Sequence, residues 1–169
     1  MAAGRGEVSM RHALFIASLC LPACAAAQST LPPADEAAAF RAAGFARVEG
    51  QWRGCEDPAA ASYTPGAIEQ VADLNGDSLP EAIVTEGSTF CYGMQGAGYA
   101  LVSKQADGSW KLITGGSGLP AALETKGADG WPDLEIGGPG FCFAVERWTG
   151  SEYELHRHQY EGKACRPDE

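Results

Sequence analysis

One stretch of the chain runs from a turn rich in oxygen side chains directly into an apolar segment, and it reads Asp73-Leu74-Asn75-Gly76-Asp77-Ser78-Leu79-Pro80-Glu81-Ala82-Ile83-Val84-Thr85. Glycine, asparagine and aspartate favour tight turns, whereas the run at residues 82–85 is β-prone. Similar runs follow at residues 99–102 and 110–113, separated by Gly, Asp, Asn and Pro. This texture predicts a mainly β, mostly antiparallel fold of short strands.

The pattern occurs a second time further along the chain. Pro132 follows Pro80 by 52 residues and Cys142 follows Cys91 by 51, within segments that read Pro80-Glu81-Ala82-Ile83-Val84, then Phe90-Cys91-Tyr92, and Pro132-Asp133-Leu134-Glu135-Ile136, then Phe141-Cys142-Phe143. We therefore predict two related hairpin-containing units, at residues 68–115 and 120–160, within one β-rich domain that covers residues 35–169. Coincidence between two glycine-rich hairpins is the alternative.

A short helix is predicted ahead of these units. Residues 28–34 form a linker, and Asp35 is expected to cap a helix that Gly44 ends. Phe40 and the neighbouring alanines make a narrow apolar stripe. That stripe favours a helix laid on a sheet rather than a binding face.

The oxygen side chains of the first loop alternate at a spacing that suits a metal ion. With Asp73 as position 1, side-chain oxygens fall at positions 1, 3, 5 and 9, and a backbone carbonyl is available at position 7. Calcium takes about six to eight oxygen ligands in a flexible shell. We predict one Ca²⁺ site formed by Asp73, Asn75, Asp77, Leu79 and Glu81. The alternative is a turn whose Asp and Asn side chains cap backbone amides without an ion.

The site is not an EF-hand, because Val84 and Ser78 stand where an EF-hand has its last Glu and its Gly. A loop that leads straight into a strand instead resembles the Asp-x-Asn-x-Asp-Gly-x-x-Asp signature of the FG-GAP and VCBS repeat families. The resemblance covers the loop and the following strand. Members of these families are extracellular β-propeller blades that commonly bind calcium, so it implies a metal role for Asp73, Asn75, Asp77 and Glu81. It does not imply a propeller, because two units cannot close one.

The second unit carries a degenerate version of the loop. Alignment of Pro132 with Pro80 places Asp133 at position 9 and Asp129 at position 5, whereas positions 3 and 1 are a glycine and a threonine. We interpret this segment as a metal-like loop that has lost half of its ligands and has kept its turn.

Four cysteines lie beyond residue 27, namely Cys55, Cys91, Cys142 and Cys165. An even number in an exported chain favours two disulfides. Zinc is the alternative, but no Cys-x-x-Cys pair is present. Pairing within each half of the chain favours Cys55 with Cys91 and Cys142 with Cys165, and the other two pairings stay open.

Residues 1–27 have the features of an export signal. Arg11 and His12 precede an apolar run that is too short to span a bilayer, and small residues follow it. Met10 would give this signal a tighter basic start, and a misassigned start before Met10 is an alternative interpretation of residues 1–9. Lipoprotein processing at Cys24 is an alternative that proline before Ala23 disfavours. Removal of the signal predicts a periplasmic or secreted protein without a transmembrane span.

Charge and composition narrow the function. The chain has 169 residues with 12 Lys and Arg against 22 Asp and Glu, a net charge of −10, and its basic residues are scattered, which argues against nucleic acid as a partner. No Gly-x-Ser-x-Gly nucleophile motif is present. We predict an exported, non-enzymatic, calcium-binding β module for recognition or structural support, whose protein or surface ligand is unknown. The alternative is a secreted inhibitor, for example of a lysozyme or a protease.

Overall fold

The computed structural model describes Met1 and residues 30–56 and 61–167. Apart from Met1, the predicted export signal with Cys24 lies outside the described residues, as does the start of the predicted linker. Among the described residues, no helix is long and apolar enough to cross a membrane.

The N-terminal helix α1 spans Pro33–Ala42. Its N-cap is Pro32, three residues before the predicted cap, because Pro33 takes the first helical position, which the fixed φ of proline suits. The prediction that Asp35 caps the helix is wrong. Its carboxylate instead accepts hydrogen bonds from Lys104 Nζ at 2.8 Å and Trp110 Nε1 at 3.3 Å. Gly44, with a φ of +87°, follows the helix end as expected.

The strands of the described segments form one small hairpin and two larger sheets, and every neighbouring pair among them is antiparallel. The hairpin consists of β1 (Ala46–Val48) and β2 (Gln51–Arg53). The first sheet contains β3 (Thr64–Ala72), β4 (Glu81–Gly87), β5 (Ala97–Lys104) and β6 (Trp110–Ser117). The second contains β7 (Leu119–Lys126), β8 (Pro132–Gly137), β9 (Phe143–Trp148), β10 (Tyr153–Tyr160) and β11 (Lys163–Ala164).

Short helical segments lie in the connections, namely α2 (Thr89–Tyr92) and the 3₁₀ turns Gly93–Gln95 and Ala128–Gly130. The predicted mainly β, antiparallel fold with a short N-terminal helix is confirmed. In both large sheets, strands that are consecutive in the chain are also neighbours in the sheet. Counted along the chain, β4 is the second strand of the first sheet and β8 is the second strand of the second sheet.

The sheets and the helix form three layers. Along β4, Ala82 and Val84 point towards α1 and pack with Phe40 and Trp52, whereas Ile83 faces the second sheet. Phe40 and Trp52 stack with their ring centroids 4.7 Å apart. Strands β4 and β5 are buried on both faces. Such strands have consecutive apolar residues rather than an alternating pattern, which explains the runs at residues 82–84 and 99–102.

Among the described residues, disulfides link Cys55 to Cys91 and Cys142 to Cys165, and the Cα atoms of each pair are 6.2 Å and 5.8 Å apart, respectively. The predicted pairing is confirmed. Both bridges lie at one end of the sheets, where β4 leads to β5 and β8 leads to β9. The loop 73–80 and the turn Ala128–Gly130 lie at the opposite end, because successive antiparallel strands alternate in direction. We refer to these as the disulfide end and the loop end.

Candidate metal-binding loop

The loop 73–80 joins β3 to β4 and is shaped by its own side chains. The backbone turns sharply, with φ values of +87° at Gly76 and +70° at Ser78. Polar side chains accept hydrogen bonds from backbone N–H groups inside the loop: Gly76 N and Ser78 N donate to Asp73 at 2.7 and 3.0 Å, Asp77 N to Asn75 at 2.9 Å, and Leu79 N to Asp77 at 2.8 Å. These bonds make the tight turn that the alternative interpretation predicts.

The same side chains also suit a hard cation. Asp73 and Asp77 are exposed, and Asn75 Nδ2 donates to Asp77 Oδ2 at 3.2 Å, so these side chains are drawn together. A carboxylate oxygen that accepts one backbone N–H keeps a lone pair for a metal ion. Within the described parts of the chain, no group of three or more His, Cys, Asp or Glu side chains forms a metal cage. A calcium ion here would therefore also need Asn75, main-chain carbonyls and water as ligands.

Glu81 lies beneath this loop and is completely buried. Its Oε2 accepts from Leu74 N at 2.7 Å and its Oε1 accepts from Ser103 Oγ at 2.8 Å, which ties the loop to β5. Burial raises the pKa of Glu81, and these hydrogen bonds only partly oppose that effect. None of the ion pairs among the described residues involves Glu81. The carboxylate thus has hydrogen-bond donors there, but no cationic partner in the described parts of the chain.

Asp133 lies near the start of β8, at the position that matches Glu81 in β4. Unlike Glu81, it has cationic side chains as neighbours. Its buried carboxylate accepts two hydrogen bonds at 2.8 Å from Arg147, one at 3.0 Å from Arg157 and one at 2.6 Å from Thr125 Oγ1. The bonds from Arg147 above all hold the pKa of Asp133 well below its usual range, with Thr125 and Arg157 contributing. Two guanidinium groups therefore neutralise the carboxylate that we interpreted from the sequence as part of a degenerate metal-like loop. Asp129 lies in the adjoining 3₁₀ turn with a φ of +52°.

The two loops lie against each other at the loop end. Lys126 Nζ donates to the carbonyl of Leu74 at 2.7 Å. Gly130 has a φ of +78°, and a Cβ atom there would overlap the carbonyl oxygen of Asn75. Sequence reasoning missed this packing, because the contacting residues are far apart in the chain. Glycine at position 130 was the one available signal, and it indicates only that the backbone passes close to something.

The ion network around Asp133 predicts a loss of stability in acid. Folding lowers the pKa of Asp133. The contribution of this carboxylate to the free energy of unfolding is therefore complete above the unfolded-state pKa of about 3.9 and is lost as the pH falls below that value. We expect Asp133→Asn to lower the free energy of unfolding at pH 7 by about 2 kcal/mol, since two guanidinium groups lose their anion. Urea unfolding at pH 7 and at about pH 3 measures this, and the difference from the wild type should shrink at the lower pH.

Asp129→Asn is the matched control, because Asp129 is exposed and asparagine tolerates its positive φ. We expect it to change the free energy of unfolding by less than about 0.5 kcal/mol. Equal effects of the two substitutions at pH 7 would contradict the assigned role of Asp133.

Comparison of this chain with protein-family models, with curated protein sequences and with solved structures found no significant match.

Proposed function

We propose that this chain is an exported, non-enzymatic β module whose loop 73–81 binds one calcium ion, and that it serves recognition or structural support. The observation that carries this proposal is the environment of Glu81. A fully buried carboxylate beneath a turn of exposed oxygen ligands has no cationic partner among the described residues. Unpaired buried charge is costly, and a divalent cation in the loop would offset that cost.

The comparison between the two loops supports the same conclusion. At the matching position of β8, two arginines supply positive charge to Asp133. At β4 the neighbouring charged group is Asp77, which raises the pKa of Glu81 further. In this proposal Asp73, Asn75, Asp77 and the carbonyl of Leu79 bind the ion, and Glu81 contributes its charge. The calcium ion supplies positive charge and orders the loop.

The two disulfides of the described residues support export. Disulfides persist in oxidising compartments such as the periplasm or the cell exterior. Calcium-binding modules in such compartments have dissociation constants of about 10⁻⁴–10⁻³ M. A loop with few carboxylates suits this weak class of site.

Thermal unfolding with and without calcium tests the proposal. If the dissociation constant is about 0.1 mM, then about 1 mM calcium after chelator treatment should add about 1.4 kcal/mol to the stability of the folded state. We expect the melting temperature to rise by about 5 °C for a chain of this size. Asp77→Ala should abolish this rise.

Asp107→Ala is the matched control. Asp107 also accepts a hydrogen bond from the backbone N–H two residues ahead, that of Ser109 at 2.9 Å, in the hairpin between β5 and β6. This variant loses an equivalent turn bond but keeps the loop 73–81, so its calcium response should equal that of the wild type. No calcium-dependent shift in the wild type would contradict the proposal, and so would a shift that persists in Asp77→Ala.

A further inference from the structure

The disulfide end exposes large apolar side chains. Phe90, Met94 and Phe141 are 68%, 87% and 76% exposed, and we call them the disulfide-end surface. Phe90 and Met94 lie in the connection from β4 to β5, and Phe141 lies in the connection from β8 to β9. These connections adjoin, because a Cβ atom on Gly138 would overlap Oε1 of Gln95. Large apolar side chains clustered on a surface mark sites of interaction.

The connections that carry these side chains are held rigidly. The two disulfides cross-link the residues that directly follow Phe90 and Phe141. The hydroxyl of Ser88 accepts from Cys91 N at 3.2 Å, and the ring of Phe141 packs edge-on against Tyr160 at 5.5 Å. Because these connections are already rigid, they lose little conformational entropy when a partner binds. This favours binding through a few exposed anchor residues.

The net charge of the chain indicates which class of protein would bind at the disulfide-end surface. With a net charge of −10, two copies of this chain repel each other, whereas a basic protein is attracted. Exposed Glu56 and Glu161 lie near the disulfides, and exposed Lys163 and Arg166 balance their charge locally. The long-range field of the whole chain therefore determines the sign. We propose that the disulfide-end surface docks onto a basic protein, with Phe90, Met94 and Phe141 as its apolar anchors.

Binding to a lysozyme rich in Lys and Arg tests this proposal. The purified, disulfide-bonded protein is titrated by isothermal calorimetry at about 50 mM and about 500 mM salt, and binding should weaken at the higher salt. Replacement of both Phe90 and Phe141 by serine should raise the dissociation constant at least about tenfold. An acidic protein of similar size should not bind.

Leu112→Ser with Leu155→Ser is the matched control, because these leucines are also exposed, at 46% and 61%, but lie on β6 and β10. This variant should bind lysozyme as the wild type does, and thermal unfolding verifies that both double variants are folded. Absence of lysozyme binding overturns the proposal, as does binding that ignores the loss of Phe90 and Phe141. Self-association through this surface, measured by sedimentation, also overturns it. The surface lies away from the loop 73–81, so binding should persist in chelator whatever the outcome for calcium.

Discussion

Leu134→Ala is expected to lower the free energy of unfolding by about 3–4 kcal/mol, because it removes a leucine that joins the two large sheets. Leu134 lies on β8 with no solvent exposure, in a cluster with Ile83, Leu101 and Trp131. The loss combines the transfer free energy of the deleted carbons with the cost of the cavity left between the sheets. Denaturant unfolding at neutral pH measures it.

Leu155→Ala is the matched control, because Leu155 lies on β10 and is 61% exposed. Its effect should stay within about 0.5 kcal/mol. If Leu134→Ala cost no more than this control, then the two sheets would not share a core, and the three-layer arrangement would be wrong.

Replacement of Cys55 and Cys91 by serine should produce a loss of similar size. The bridge closes a segment of 36 residues and restricts the unfolded chain. Loop-closure entropy predicts a loss of about 3–4 kcal/mol in the free energy of unfolding. The bridge also fixes α2, so the double variant should lose protection from proteolysis near Phe90 before the sheets unfold.

The double variant Cys142→Ser with Cys165→Ser provides the comparison. Its bridge closes a segment of 23 residues, so loop-closure entropy predicts a slightly smaller loss in the free energy of unfolding. Both losses are measured by urea unfolding without reductant. Reduction of the wild-type protein should be at least as destabilising as either double variant, and a loss below about 1 kcal/mol for Cys55 and Cys91 would contradict a stabilising role.

Much of the fold is predictable because the responsible signals are local. The run at residues 82–85 contains small and β-branched apolar residues between turn formers, which favours a strand. The same holds for the strands that include residues 99–102 and 110–113. Separation along the chain favoured the pairing of Cys55 with Cys91 but left two other pairings open. The shape of the loop at Asp73 also follows from local chemistry, since Asp and Asn favour such turns.

Other features depend on residues that are distant in the chain. Asp35 has the composition of a helix cap, yet it bonds to Lys104 and Trp110, which are 69 and 75 residues away. Asp133 resembles a metal ligand by its position, yet Arg147 and Arg157 surround it. No local pattern announces such partners, because they depend on which strands become neighbours.

By itself, the sequence determined several of the strand segments, the short helix and the oxygen-rich turn, and it favoured one disulfide pairing among three. Each of these depends on backbone preferences, on alternation over a few residues, or on separation along the chain. The tertiary structure alone decided that Glu81 is buried without a cationic partner among the described residues, that Asp133 is paired with two arginines, and that Phe90 and Phe141 are exposed at one end. Burial and charge pairing are properties of packed surfaces, and the free energy of a carboxylate depends on the groups that replace water around it.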